Sequence, residues 1–395
     1  TVRISIDTMS TDVTCNITVL DSNDCYYFDY DFVGVSDGTR SNPYTTLRES
    51  GLTPTAGKSY LWKRGTTFTR EWAVIINPIV GGNYPDWITF DAYGQGAIPI
   101  INGNDNIDGS ANKRFVDIGG AGLSGSNQDP ELVGNKFRVS NFKTTHDKSN
   151  TWYPFQIRGI GNYLQFRNLD MEETKFSEGF MYFAVYTAVE YEDRFIYLEN
   201  IRTLNSEERS IKIEAGGVKG NNFYCINEGA TVTEHPAPSI ANLPNVELKY
   251  IFAEGDNIST SNLGLQLRAS LHTYEWFYIK GFGNALVVYI HAALDGKGGL
   301  YDVTNSGYTN GIIEDAQSTS SYFGHQSGTT GVAYGIWFTN IKLINCSAGF
   351  QIADGARDVL VNYCDLSGTG TDGLRVFADA GTGVQIRNVT SFDNG

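Results

Sequence analysis

Between Val384 and Val389 the chain reads Val-Gln-Ile-Arg-Asn-Val: apolar, polar, apolar, polar, Asn, apolar. The same figure recurs up the chain. Clear copies begin at Phe137, Leu164, Ile196, Val246, Phe277, Ile341, Val359 and Val384, and weaker ones at Phe223 and Tyr301. Positions one and three share one face of a strand and are apolar in every clear copy. The fifth position runs Asn141, Asn168, Asn200, Asn227, Tyr250, Gly281, Asn305, Asn345, Tyr363, Asn388. Asn suits a turn there, because its side chain bonds nearby backbone. The intervals between copies vary too widely for a fixed helical repeat. Short strands stacked on copies of themselves and joined by loops of free length account for them. Such strands form a parallel sheet over a continuous core.

A second short element follows most copies, often opened by Gly. Examples are Ser210–Ile213, Gly264–Leu267, Gly311–Ile313, Gly349–Ile352 and Gly373–Val376. These predict a second parallel sheet, so the chain reads as all-β, with about ten or more coils. Residues 1–25 are Thr- and Asp-rich and read as a lead-in segment, with 26–395 as one domain. Two loop excursions are expected, at 228–245, which holds Pro236, Pro238 and Pro244, and at 306–335, rich in Gly, Ser and Thr. The start at Thr1 reads as a mature or trimmed product. The last rung, just before Gly395, is uncapped. An open parallel edge is sticky, which points to a homotrimer or to further chain covering it.

Within 26–104 the order of motifs is distinctive. Tyr26-Tyr27-Phe28-Asp29 precedes Ser36-Asp37-Gly38-Thr39 and Asn42-Pro43-Tyr44-Thr45-Thr46-Leu47. Then come Ala56–Phe68, with Tyr60-Leu61-Trp62 at its centre, and Ile88–Gly103. This order resembles the N-terminal region of the pectate-lyase-like superfamily of polysaccharide-active proteins, which includes phage tail-spike depolymerases. The resemblance implies a right-handed single-stranded parallel β-helix. It also implies a short helical cap near Thr45–Ser50, with 26–104 forming that cap and the first coils. It further implies an extracellular polysaccharide-degrading enzyme, a lyase or glycoside hydrolase, with glycan along the outer face of the helix. The alternative within the same superfamily is a viral tail spike or surface adhesin that binds glycans, with or without cleavage. The fold alone does not choose between them.

Composition narrows the partners. Lys and Arg number 29 against 44 Asp and Glu, a net charge of −15. That argues against nucleic acid and against an anionic membrane surface. An acidic polysaccharide would need a local basic strip or bridging cations, which leaves calcium open. No apolar run reaches transmembrane length. The five Cys have no metal-binding spacing, and no metal site is expected. Cys15 and Cys25 can pair in an oxidising compartment. Cys346 and Cys364 fall on the sixth, core-facing position of the figure, as Val389 does.

Candidate chemistry lies on the outward face of the second sheet, where alternate residues stack from coil to coil. Lys212, Glu214, Arg268, His291, Glu314 and Asp315 mix acids and bases at one or two coil spacings. They are the catalytic candidates. Glu254, Gln266, Tyr289, Lys297 and Tyr322 are the candidate substrate contacts. Carboxylates about 5–10 Å apart suit glycoside hydrolysis. A Lys, Arg or His base beside an acid-binding cation suits β-elimination from a uronate. Exposed aromatics for stacking on sugars are sought among Tyr274, Trp276, Tyr289 and Tyr322. The plain alternative for each charge is a solvated outward position.

Overall fold

The computed structural model describes residues 2–4, 13–15, 24–69, 74–76, 86–103, 115–118, 136–145, 154–158, 163–174, 181–184, 195–206, 210–214, 217–227, 238–240, 245–255, 262–290, 302–325, 332–353, 355–377 and 382–394. They form a right-handed parallel β-helix. Its main sheet has 15 strands and runs from Cys25–Phe28 to Gln385–Arg387, every pairing parallel. Two further parallel sheets close the coil. One has six strands, from Val74–Ile76 to Ser239–Ile240, and one has five, from Leu263–Leu267 to Leu374–Val376. The predicted cap is a short helix, Leu47–Ser50, with Thr46 as N-cap accepting from the Glu49 N–H. Its Leu47 is buried in the core. Ahead of the main sheet, Val2–Ile4 pairs antiparallel with Val13–Cys15.

The core follows from the alternation. Along Val246–Glu254, Val246, Leu248, Ile251 and Ala253 are buried while the residues between them face outward. Stacked rung on rung, such residues make one continuous hydrophobic column. Each buried side chain contributes roughly 1.5–3 kcal/mol. Aromatic rings dominate the N-terminal coils: Phe28 stacks on Trp62 at 4.8 Å, and Phe90 packs edge-on against Phe137 at 5.0 Å.

The long main-sheet strands pass through a corner. Asn141, Asn168, Asn200 and Asn222 occupy equivalent positions with φ between 52° and 66°, the left-handed region that Asn tolerates. Each donates its amide to the residue one rung before: Asn222 to Asn200 at 2.8 Å, Asn200 to Asn168 at 2.8 Å, Asn168 to Asn141 at 3.0 Å. The ladder ends on Asp91, which accepts from Asn141 at 2.6 Å. Replacing Asn200 by Ala removes two of these bonds and leaves a poorly suited residue at φ 53°. We expect about 1–2 kcal/mol of lost stability, read from urea unfolding; no loss would remove the ladder's structural role.

This geometry corrects parts of the sequence reading. The corner column continues as Tyr250, Trp276, Asn310, Asn340, Tyr363 and Asn388. Asn227, Gly281 and Asn345 belong instead to a second corner, about five residues on, with Gly255 and Asp315. Asn305 belongs to a third, five residues before the first, with Asn245 and Leu271. Gly311–Ile313 is the second half of a main-sheet strand, not part of the second sheet. The expected loop at 306–335 is mostly strand, Val303–Glu314 and Thr319–His325. Small residues there serve packing: a Cβ on Gly311 would run into the Phe277 ring. Of 228–245, Ser239–Ile240 is a strand and much of the rest lies outside the described residues. Cys364 aligns with Val389, but Cys346 follows the second corner. Both thiols are buried.

Candidate functional site

The half-strand after the first corner presents two outward residues per rung. In five successive rungs the first of them is Tyr224, Phe252, Tyr278, Ile312 and Lys342, with Asp365 on the next. Solvent-facing positions are normally polar, so an apolar column there is informative. Tyr224 stacks on Phe252 at 4.8 Å and Phe252 on Tyr278 at 5.3 Å, near rung spacing. Tyr250 and Trp276, on the corner itself, stack with planes 12° apart. Between these columns lies an open groove of about 710 Å³, extending from Asn222 to Asp365 and bordered by Tyr363. Its size is that of a small-ligand site.

The second outward residue supplies charge. Glu254, Lys280 and Glu314 stack in one column on consecutive rungs. Tyr278 donates its hydroxyl to Glu314 Oε2, and Lys280 Nζ lies 3.2 Å from Glu314 Oε1 and 3.8 Å from Asp315 Oδ2. The Tyr278 hydrogen bond, and then Lys280, hold the Glu314 carboxyl below its ordinary range. Burial, with the bond to Glu314, pushes the Tyr278 phenol up to about 12. Lys280 is raised by Glu314. The trio is therefore an ionised carboxylate flanked by a protonated phenol and an ammonium. Toward the N-terminus the same face carries a closed ion network. Lys143 meets Glu172 at 2.7 Å, and Arg202 meets Asp170 at 2.5 Å and Glu172 at 2.9 Å. Those charges are mutually satisfied.

The predicted site residues divide among the sheets. Glu254, Glu314 and Asp315 come together at the groove's edge; Glu254 and Glu314 end main-sheet strands and Asp315 follows Glu314, so Glu314 and Asp315 are not on the second sheet. Lys212 and Glu214 lie on the six-stranded sheet, in Ile211–Glu214, and the side chain of Glu214 is outside the described residues. Arg268 follows Leu263–Leu267 on the five-stranded sheet and lies over the Tyr289 ring at 5.4 Å. Gln266 is fully buried, which takes it off the surface. Tyr322 is exposed on the same sheet, two strands away. His291 and Lys297 lie outside the described residues. Of the aromatics, Trp276 is exposed as expected, while Tyr274 is core, bonded to the Gln266 carbonyl at 2.8 Å. Sequence reasoning missed Tyr224, Phe252, Tyr278 and Tyr250. Their signal is an apolar run where alternation lapses, as in Tyr250-Ile251-Phe252-Ala253 and Trp276-Phe277-Tyr278-Ile279. Among the described residues no group of three His, Cys, Asp or Glu is arranged to hold a metal ion.

No family model matches the chain, and no curated protein resembles it in sequence. Solved structures resemble it in shape. The catalytic domain of a GH87 α-1,3-glucanase in complex with tetrasaccharides superposes with a TM-score of 0.52 at 11% identity, over 91% of this chain and 67% of that one. A GH136 lacto-N-biosidase from Eubacterium ramulus gives 0.42 at 12% identity, over 93% and 68%. An exopolygalacturonase from Thermotoga maritima gives 0.38 at 9%, over 88% and 86%. The first likeness shows the fold and nothing finer; the other two add nothing to it.

Proposed function

We propose that this right-handed parallel β-helix binds a glycan in the aromatic groove and hydrolyses it at the groove's carboxylate edge. The observation that carries the reading is the apolar outward column Tyr224–Phe252–Tyr278 beside the Glu254–Lys280–Glu314 column. Rings at rung spacing give sugar faces an apolar surface to lie on, and carboxylates beside them supply acid–base groups. Glu254 and Glu314 stand two rungs apart, about 9.6 Å along the sheet. Inverting glycosidases separate their carboxyls by roughly 6.5–9.5 Å, which leaves room for a water. Glu314, held ionised, takes the base role, and Glu254, on the far side of the Lys280 rung, takes that of the proton donor. We propose an extracellular location with it, because a polymeric glycan is met outside the cell.

A second reading is binding without cleavage, as in an adhesin. One observation favours it: Glu314 is already engaged by the Tyr278 hydroxyl and by Lys280, so its charge is satisfied within the protein, as the charges of the Lys143–Glu172–Arg202 network are. A polysaccharide panel tests both. New reducing ends support hydrolysis; binding without them supports the second reading; neither, across the panel, sinks both. For a hydrolase, pH adds a check. Tyr278 is the largest cause of the lowered Glu314 carboxyl, so the acidic limb of kcat/KM should lie below pH 4.5, the ordinary value. In Tyr278→Phe it should move to higher pH. A limb that stays where it was would remove Glu314 from the base role.

A further inference from the structure

Among the described residues, eighteen positions other than Gly have positive φ. Fourteen are Asn or Asp, which tolerate that region. The other four are Tyr250, Leu271, Trp276 and Tyr363. Three of these four are aromatic, all three sit in the first corner column, and all three border the groove. They are 55%, 50% and 62% exposed, so core packing does not explain them. At two of these positions the residue interrupts a run that would otherwise be Asn from Asn141 to Asn340. Bulky side chains in the left-handed region are strained, and strain of this kind gathers at functional sites.

Charge around the groove points to the class of ligand. Lys249 is held between Glu247 at 2.9 Å and Glu275 at 3.1 Å. Lys280 is held by Glu314 and Asp315. Lys342 stands beside Asp365 on the next rung. Among the described residues, each of these three lysines has a carboxylate neighbour, and the carboxylates beside them outnumber them. A polyanion would have to displace them, within a chain of net charge −15.

We infer that Tyr250, Trp276 and Tyr363 form a corner-mounted platform for the rings of an uncharged glycan, kept there against the conformational preference of the corner. This rests on the groove reading above and specifies what the groove accepts. Six rungs from Asn222 to Tyr363 span roughly 24 Å, room for several sugar units laid along the axis. Tyr250 and Trp276 make the near end of the rim, and Tyr363 the far end.

The test pairs affinity with stability. Native-gel affinity electrophoresis is run with the whole chain against soluble β-glucan, dextran, galactomannan and xylan, and against polygalacturonate and alginate. The double variant Tyr250→Asn/Trp276→Asn is run alongside, with Tyr363→Asn as a separate, single change. The wild type should bind at least one uncharged polymer more tightly than either polyanion. The double variant should lose that affinity about tenfold or more, while its Tm holds or rises by about 2–4 °C, because Asn suits the corner and can bridge Asn222 to Asn310. Lost affinity with a lowered Tm would make the aromatics structural and overturn the inference, as would unchanged affinity. Preference for the polyanions would overturn the charge argument and leave the groove reading standing. No binding to any polymer would overturn both.

Discussion

Glu314→Gln should lower kcat on the glycan that the panel identifies by about 10³-fold, some 4 kcal/mol of transition-state stabilisation, with KM almost unchanged. Gln still accepts the Tyr278 hydroxyl but carries no charge for Lys280 and cannot take a proton from water. Glu314 lies at the groove's edge on a half-buried outward position, so folding should be unaffected. A residual rate within a few-fold of wild type would sink the hydrolytic role assigned to it. A parallel loss in Lys280→Met would not carry the same meaning, since that change also raises the Glu314 carboxyl. Its signature is a shifted acidic limb and not a pH-independent loss.

The largest effect on stability should come from Gly349→Ala. A Cβ on Gly349 would run into the backbone carbonyl of Gly373 on the next rung and stand 2.8 Å from the Asp372 oxygen. Its own N–H donates to Asp372 O at 2.8 Å, and Phe350 donates to Gly373 O at 3.0 Å. The neighbours are backbone atoms locked in the five-stranded sheet, so no side chain can swing aside. We expect a loss of about 3 kcal/mol or more, at the upper end of overpacking costs. Amide hydrogen exchange should show it as lost protection in Phe350–Ile352 and Leu374–Val376. Protection equal to wild type in both strands would contradict it.

Much of the fold was legible because it depends on period-two alternation and on corners that few residues tolerate. Val246 and Leu248 announce a buried strand face without any partner being known. What blurred the register was chemistry shared among the three corners. Positive φ recurs at each, and Asn and Gly meet that need wherever it arises. Asn200, Asn345 and Asn305 therefore looked equivalent, though they turn the chain at different places. The site was hidden for a related reason. Phe277 and Ile341 open half-strands after the corner, so the outward column beyond it was credited to the second sheet. Glu254, Glu314 and Asp315 stood out in the sequence because charge beside a strand end is visible there. The aromatic column was not, because Phe252 and Tyr278 read as core until the direction of the strand is known.

The parallel stacking has a consequence for how damage spreads. Among the described residues the strands of each coil pair with those of the coil before and the coil after, so the molecule is close to a one-dimensional array. Its cohesion is a sum of neighbour terms, and it should come apart by fraying from its ends and not all at once. A defect at Gly349 would thus be felt a rung or two away and die out before the asparagine ladder. Evolution could then rework the coils around the groove while the aromatic N-terminal coils kept their own account of stability.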